Sequence, residues 1–163
     1  MKNNVKNILI HRIKLCLWLM VIGLFLSGIT AFPIETELSY FSKTTSSSGL
    51  MHNWLSKVYI AIKTTNSNYP YLSYGTDWLA FAHLLFAVLF AGAIKDPLKN
   101  RWIIEFGIMA AIAIFPLAFV AGSIRGIPVF WRLIDCSFGV ATLAILVPCY
   151  RMINKLSNLK NVF

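Results

Sequence analysis

The side chains that could carry chemistry are few in this chain, because only 13% of its 163 residues are charged and three are histidines. His83 and Asp135 lie within long apolar segments, where a titratable group is costly and therefore needs a structural or functional reason. His83 follows Trp78 by five residues, and Asp135 follows Trp131 by four. If each tryptophan marks the same interface, a helical rise of about 1.5 Å per residue places both groups about 6 to 8 Å below it. This common depth makes them candidate catalytic or ligand-binding residues.

Arg132 is the third candidate, because it precedes Asp135 by three residues and shares its helical face. Two interpretations of this pair stay open. An internal ion pair would hold the last apolar helix against its neighbours, whereas in the other interpretation Asp135 lines a polar pocket open to the outer face. For His83 the simpler interpretation is a hydrogen bond to a neighbouring helix, and the other is a catalytic or ligand-binding role.

Four more charged residues are expected near the outer interface: Glu35, Glu37, Asp77 and Arg125. Each of them alone is explained as a solvated charge at the level of the lipid headgroups. Together with the three candidates they could form one outer polar cluster, which is where we expect a functional site. Glu105 is different, because it lies at the cytoplasmic end and follows Arg101 by four residues, which predicts a local ion pair.

No pattern in the sequence predicts a metal or a cofactor. The three cysteines, Cys16, Cys136 and Cys149, have no CxxC spacing and lie in apolar segments, where a free thiol packs as a small apolar group. A transmembrane haem needs facing histidines, and only His83 lies within an apolar segment. Phosphate-binding loops and the HExxH and GxSxG motifs are missing from the sequence. We therefore predict no metal site, no cofactor and no dithiol relay.

The elements that position these residues follow from the apolar fraction of 58%, which exceeds what a compact soluble domain of this length can bury. A membrane-spanning helix needs about 20 mostly apolar residues. Four segments meet this requirement, at residues 15–32, 78–94, 102–124 and 129–150. We predict an all-α integral membrane protein in which a single polytopic domain forms a four-transmembrane-helix bundle.

The loop between the first two spans, residues 33–77, is the only long segment outside the membrane and is expected on the outer side. Within it, residues 50–64 carry apolar side chains at helical spacing. This pattern predicts an amphipathic interfacial helix that lies flat on the membrane or over the mouth of the bundle. A tyrosine-rich segment and a turn at residues 75–77 are expected to follow, before span two begins.

The orientation of the chain follows from its fifteen lysine and arginine residues. Ten of them fall in the N-terminal tail, the loop between spans two and three, and the C-terminal tail, which share one side of a four-span protein. The positive-inside rule then places both termini in the cytoplasm. Tails rich in asparagine and lysine favour a bacterial source, and hence the inner membrane. Because orientation and anionic lipids explain the net charge of +9, nucleic acid is not expected as a partner.

The sequence identifies no reaction, so the functional predictions are broad. The first is an accessory, scaffold or assembly subunit, whose partners are membrane lipids and either another membrane protein or a second copy of the chain. The alternative is a membrane-embedded enzyme or lipid-binding protein with a polar site at the outer-leaflet end of the bundle. Transport ranks third, because the middle of the spans is apolar and offers no path for an ion.

Overall fold

The computed structural model describes residues 2–44 and 49–160, which form six α-helices and no β-strand. The helices are α1 (Lys2–Ala31), α2 (Ile34–Thr44), α3 (Leu50–Asn68), α4 (Pro70–Lys95), α5 (Arg101–Ile124) and α6 (Val129–Lys160). Four stretches in α1, α4, α5 and α6 are long and apolar enough to cross a membrane: Asn4–Ala31, Pro70–Lys95, Arg101–Ile124 and Val129–Leu159. The all-α class and the four apolar helices are therefore confirmed. Their assembly into one bundle within a single domain stays a prediction.

The segment predicted as the outer loop, residues 33–77, is largely helical. The helix predicted at 50–64 is present as α3, which continues to Asn68 and buries none of its residues. Its position at a membrane surface stays a prediction. Helix α2 is not predicted above, although Glu35 and Glu37 in its first turn are the carboxylates that a helix dipole favours. The carbonyl of Pro33 accepts a hydrogen bond from the backbone N–H of Glu37 at 3.0 Å and so marks the start of the helix.

The turn predicted at residues 75–77 is wrong, because α4 begins at Pro70 and runs through this segment to Lys95. Proline is favoured in the first helical turn, where its missing N–H costs no hydrogen bond. Gly75 inside the helix costs about 1 kcal/mol relative to alanine, which is too little to end a long apolar helix. Asp77 therefore lies about two turns inside α4 and does not cap it.

The contacts within the chain divide it into two compact units. The central unit is Gly23–Phe86, and the terminal unit is Met1–Ile22 together with Ala87–Phe163. The central unit contains α2 and α3, the end of α1 and the larger part of α4, whereas the terminal unit contains α5, α6 and the remainder of α1 and α4. The predicted site residues are therefore shared between the two units.

The core of the terminal unit is apolar and closely packed. Its largest fully buried side chains are Ile13, Leu17, Ile104, Leu146, Cys149 and Ile153. Small residues bring α5 and α6 into backbone contact, since a Cβ atom added at Gly139 would lie 2.9 Å from the carbonyl oxygen of Ala111. In the central unit Gly28 has the same role, because a Cβ atom there would lie 2.9 Å from the carbonyl oxygen of Ala80.

The predicted ion pair at the start of α5 is confirmed. The Nε atom of Arg101 donates a hydrogen bond to Oε1 of Glu105 at 2.8 Å, and about two fifths of each side chain is exposed, at 42%. The guanidinium group of Arg101 also donates to the hydroxyl group of Tyr150 and lies 4.6 Å from the centre of its ring. The arginine thus fastens the start of α5 to α6.

Candidate functional site

A polar pocket of about 240 Å³ lies in the central unit. Its polar lining consists of Glu35 and Thr36 at the start of α2, Asn66 near the end of α3, and Ser73, Thr76 and Asp77 in the first turns of α4. Three helices therefore contribute to the pocket. Of these, α2 was not predicted from the sequence, and α4 begins at Pro70, eight residues before the predicted start of span two. Glu35 and Asp77, two members of the predicted outer polar cluster, are brought to one pocket.

Two hydrogen bonds through Asn66 join the three helices that form the polar pocket. The hydroxyl group of Ser73 donates to Oδ1 of Asn66, and Nδ2 of Asn66 donates to Oε2 of Glu35 at 2.6 Å. The amide oxygen of Asn66 thus accepts a hydrogen bond from α4, and its amide nitrogen donates one to α2. This arrangement orients one carboxylate oxygen of Glu35 and so fixes the charge at the wall of the pocket.

The carboxylate of Asp77 is also at the wall of the polar pocket and is only partly exposed. Among the described residues it forms no hydrogen bond and no ion pair. Asp77 lines a second pocket as well, of about 260 Å³, whose other lining residues are Phe32, Tyr74, Trp78 and Phe81. We call this second space the aromatic pocket. Phe32 and Asp77 belong to the lining of both, so the two pockets adjoin at these residues.

The aromatic pocket is organised by successive edge-to-face contacts along α4. The rings of Tyr74 and Trp78 have centroids 6.0 Å apart at an angle of 78°, and those of Trp78 and Phe81 are 6.1 Å apart at 83°. Such contacts are the favoured geometry of aromatic pairs. They hold three ring systems beside one carboxylate.

His83 has a local role in the central unit. Its Nδ1 atom is 2.8 Å from the carbonyl oxygen of Leu79, one turn earlier in α4, so that this nitrogen carries the proton and donates it. The imidazole is therefore hydrogen-bonded within its own helix, and the hydrogen bond expected to a neighbouring helix is replaced by this one. His83 belongs to the central unit and Asp135 to the terminal unit. A pocket shared by these two residues stays a prediction.

Arg132 binds the turn between α5 and α6, and the internal ion pair with Asp135 is wrong. Nε of Arg132 donates to the carbonyl oxygen of Ile127 at 2.7 Å, and Nη1 donates to the hydroxyl oxygen of Ser123, also at 2.7 Å. Helical side chains point toward the N-terminus of their helix, which directs Arg132 back to this turn. A Cβ atom added at Gly122 would lie 3.1 Å from Cδ of Arg132, so the arginine stem packs closely over that glycine.

We expect Arg132→Met to lower the stability of the terminal unit by about 1 kcal/mol, because the apolar stem is kept while two hydrogen bonds to the turn are lost. Thermal unfolding of the full chain in detergent, followed by circular dichroism, measures this change. Arg125→Met in the same turn is the control, since the exposed side chain of Arg125 forms no hydrogen bond with a described residue and should change stability by less than about 0.5 kcal/mol. Equal effects of the two variants would contradict the assigned role of Arg132.

Asp135 and Arg125 line one pocket of about 290 Å³ in the terminal unit, together with mostly apolar residues of α5. The structure thus brings these two predicted residues together, while a catalytic role for either stays a prediction. Glu37 does not line the polar pocket, although it is in the same helical turn as Glu35. In the part of the chain that is described, no group of three or more His, Cys, Asp and Glu side chains could hold a metal ion.

The proximity of two thiols was missed by the sequence reasoning. The side chains of Cys16 in α1 and Cys149 in α6 lie near enough within the terminal unit to influence each other electrostatically. Cys149 is fully buried, and both thiols are free. The two residues stand near opposite ends of the sequence, so no spacing rule could have paired them. The absence of a dithiol relay stays a prediction, since both thiols are free.

We expect copper phenanthroline, a membrane-permeant oxidation catalyst, to join Cys16 and Cys149 in a disulfide with oxygen as the electron acceptor. After unfolding and alkylation, mass spectrometry should find one alkylated thiol per oxidised chain, at Cys136. In a Cys149→Ser chain treated in the same way, both remaining thiols should stay reduced and become alkylated. Alkylation of all three cysteines in the oxidised wild-type chain would contradict this proximity.

Comparison of the chain with protein-family models, with curated proteins and with solved structures gives no match. The fold itself defines the class at a coarse level. An all-helical chain with four apolar helices of spanning length is compatible with a multi-pass membrane protein.

Proposed function

We propose that this chain is a multi-pass membrane protein that binds a lipid headgroup or a small polar molecule in the polar pocket of its central unit. The observation that supports binding is the hydrogen-bonded series Ser73–Asn66–Glu35, which holds a carboxylate at a concave wall that Asp77 also lines. Ligand sites are concave and carry a few convergent polar groups, and they bind best when those groups are already oriented.

The membrane placement is part of the same proposal. Both termini lie in the cytoplasm of a bacterial cell, and the segment containing α2 and α3 lies outside the inner membrane. Four spans with ten of the fifteen basic residues on one side support this orientation. Helix α3 lies at the outer surface of the membrane, since it has no buried residue and exposes Leu50 at 78% and Ile60 at 63%. The polar pocket then opens at the level of the outer headgroups.

We expect fusions at the C-terminus to report a cytoplasmic location. A green fluorescent protein joined after Phe163 should be fluorescent, and alkaline phosphatase joined there should be inactive. The same two reporters inserted after Gly49 should give the opposite result, because residues 33–77 are predicted outside. A phosphatase that is active after Phe163 and inactive after Gly49 would reverse the orientation and place the polar pocket on the cytoplasmic side.

Binding is tested by identifying the molecules that the full chain retains during purification in mild detergent. Lipids and small molecules are extracted and quantified by mass spectrometry for the wild type and for a Glu35→Gln/Asp77→Asn double variant. We expect at least one compound to be retained by the wild type and reduced about tenfold in the double variant, because two partly buried charges at the pocket are removed. Glu37→Gln, in the same helical turn but outside the pocket, should retain it. Identical profiles for all three chains would contradict binding at this pocket.

An accessory or assembly role is the second candidate, and an exposed pair of small residues on α1 favours it. Gly23 and Ser27 are both exposed, and a Cβ atom added at Gly23 would meet no other atom within 4 Å. Small residues four positions apart allow close packing of two helices in lipid. We expect a partner, either another membrane protein or a second copy of the chain, to be cross-linked in membranes to the wild type and lost from Gly23→Ile. A chain that is monomeric and unaccompanied under cross-linking would contradict this role.

A further inference from the structure

The charge of the two adjoining pockets in the central unit is opposite to that of the chain. The chain carries fifteen basic and six acidic residues, yet the described lining of the polar and aromatic pockets contains Glu35 and Asp77 and no basic residue. A carboxylate that is partly removed from water is unfavourable unless a partner compensates the lost hydration. Asn66 supplies part of that compensation for Glu35, whereas Asp77 has no such partner among the described residues. The pockets are therefore complementary to a cation.

The aromatic pocket decides which kind of cation fits. Asp77 belongs to both linings, and the rings of Phe32, Tyr74 and Trp78 stand beside it. Aromatic faces attract organic ammonium groups, which are weakly hydrated, and this is how proteins recognise quaternary ammonium ligands. A strongly hydrated metal ion would instead call for a set of several oxygen ligands. Carboxylates and an aromatic wall together favour an alkylammonium group.

The size of the pockets limits what is recognised. Volumes of about 240 and 260 Å³ are below the range of about 300 to 1,000 Å³ that is usual for sites holding a whole drug-sized molecule. Each pocket fits a group the size of a headgroup. The exposed rings, such as Tyr74 at 60% and Trp78 at 57%, are of the type that lies at a membrane interface, where such groups are found.

Resting on the proposed binding function, we infer that the recognised group is an organic ammonium ion, held by the carboxylates of Glu35 and Asp77 and packed against Phe32, Tyr74 and Trp78. The ammonium group can belong to a lipid headgroup or to a soluble amine, and the chemistry of recognition is the same. Asp77 has the central position, because among the described residues it is the one carboxylate that lines both pockets.

The inference is tested with the full chain in nanodiscs of phosphatidylglycerol, a lipid without an amine. Three probes are titrated at constant ionic strength: choline as the soluble cation, short-chain phosphatidylethanolamine as the lipid amine, and magnesium as the metal cation. We expect at least one ammonium probe to bind more tightly than magnesium. Choline binding alone would identify a soluble amine, and phosphatidylethanolamine binding alone would identify a lipid, and either result supports the inference.

Single variants measure the contributions of the carboxylates and of the aromatic wall to ammonium binding separately. Asp77→Asn and Glu35→Gln should each weaken ammonium binding about tenfold. Trp78→Leu should weaken it about threefold, because one cation–π contact is lost at an exposed site. Asp77→Glu, which keeps the charge, should bind within a few-fold of the wild type, and Glu37→Gln should bind like the wild type. Circular dichroism of each variant should match that of the wild type, which controls for loss of folding.

Two results would overturn the inference in different ways. If magnesium binds in preference to both ammonium probes and Asp77→Asn abolishes that binding, the pocket is a binding site but not one for ammonium. If the folded wild type and Asp77→Asn behave identically toward every probe, both the ammonium inference and the proposed binding function fail.

Discussion

Alanine in place of Gly139 should lower the free energy of unfolding by about 1 to 3 kcal/mol, because α5 and α6 are in backbone contact at this position. The added Cβ atom would lie 2.9 Å from the carbonyl oxygen of Ala111 and 3.3 Å from Cε2 of Phe115. The carbonyl oxygen belongs to the backbone of α5, so it cannot move aside as the end of a flexible side chain can. The two helices must separate, and contacts along both are lost.

Gly92→Ala is the matched control for this experiment. Gly92 also lies within a helix, α4, but it is exposed, and a Cβ atom there would meet no atom within 4 Å. Alanine favours the helix over glycine by about 1 kcal/mol, so this variant should keep or raise stability. Thermal unfolding in detergent compares both with the wild type. A change of the same sign and size in the two variants would show that Gly139 is not a point of close approach.

Asn66→Ala should release α2 from the central unit, and this is the second large effect that we expect. The substitution removes the hydrogen bonds to Glu35 and to Ser73 together and leaves the carboxylate without its donor. Two such bonds, one of them to a charged group, are worth about 1 to 3 kcal/mol. Hydrogen exchange of the backbone amides in Ile34–Thr44 should therefore become faster by about tenfold or more.

The control for Asn66 lies two residues away on the same helix. Asn68 is exposed and donates to the carbonyl oxygen of Thr64 at 3.0 Å, within α3 itself. Asn68→Ala therefore removes an amide side chain without removing a contact between helices, and exchange in α2 should stay as in the wild type. If amide exchange in α2 rises equally in both variants, the cause lies within α3 itself, and Asn66 does not bridge the helices.

The sequence indicates which residues allow helices to pack closely, but it does not indicate which helices pack against each other. Small residues four apart, such as Gly107 and Ala111, are visible in the sequence and predict close packing, and both are buried. Nothing in the sequence pairs Gly139 with Ala111, however, because that contact depends on the relative positions of α5 and α6. The same is true of Cys16 and Cys149, whose thiols lie near each other although they come from the first and last helices.

The sequence predicted which charged residues lie near the outer interface, but it did not predict which of them share a pocket. Glu35 and Asp77 meet at one pocket, Arg125 and Asp135 line another, and Glu37 lines neither of these two. The sequence reasoning overlooked Asn66 and Ser73, because uncharged polar residues in a presumed loop carry no signal. Asn66 reaches Glu35 across 31 positions of the chain, a separation at which only the packing of α2 against α3 can create a hydrogen bond.

Hydropathy and helical spacing in the sequence were enough to predict an all-α protein with four apolar helices and an amphipathic α3. These properties are local, because hydropathy and helical periodicity are sums over neighbouring residues. The packing of the helices was needed to show that one pocket is lined by Glu35, Asn66, Ser73 and Asp77. It was also needed to show that Arg132 binds a turn and not Asp135. Hydrogen bonds act over about 3 Å and require a defined direction, so they depend on how helices are placed beside each other.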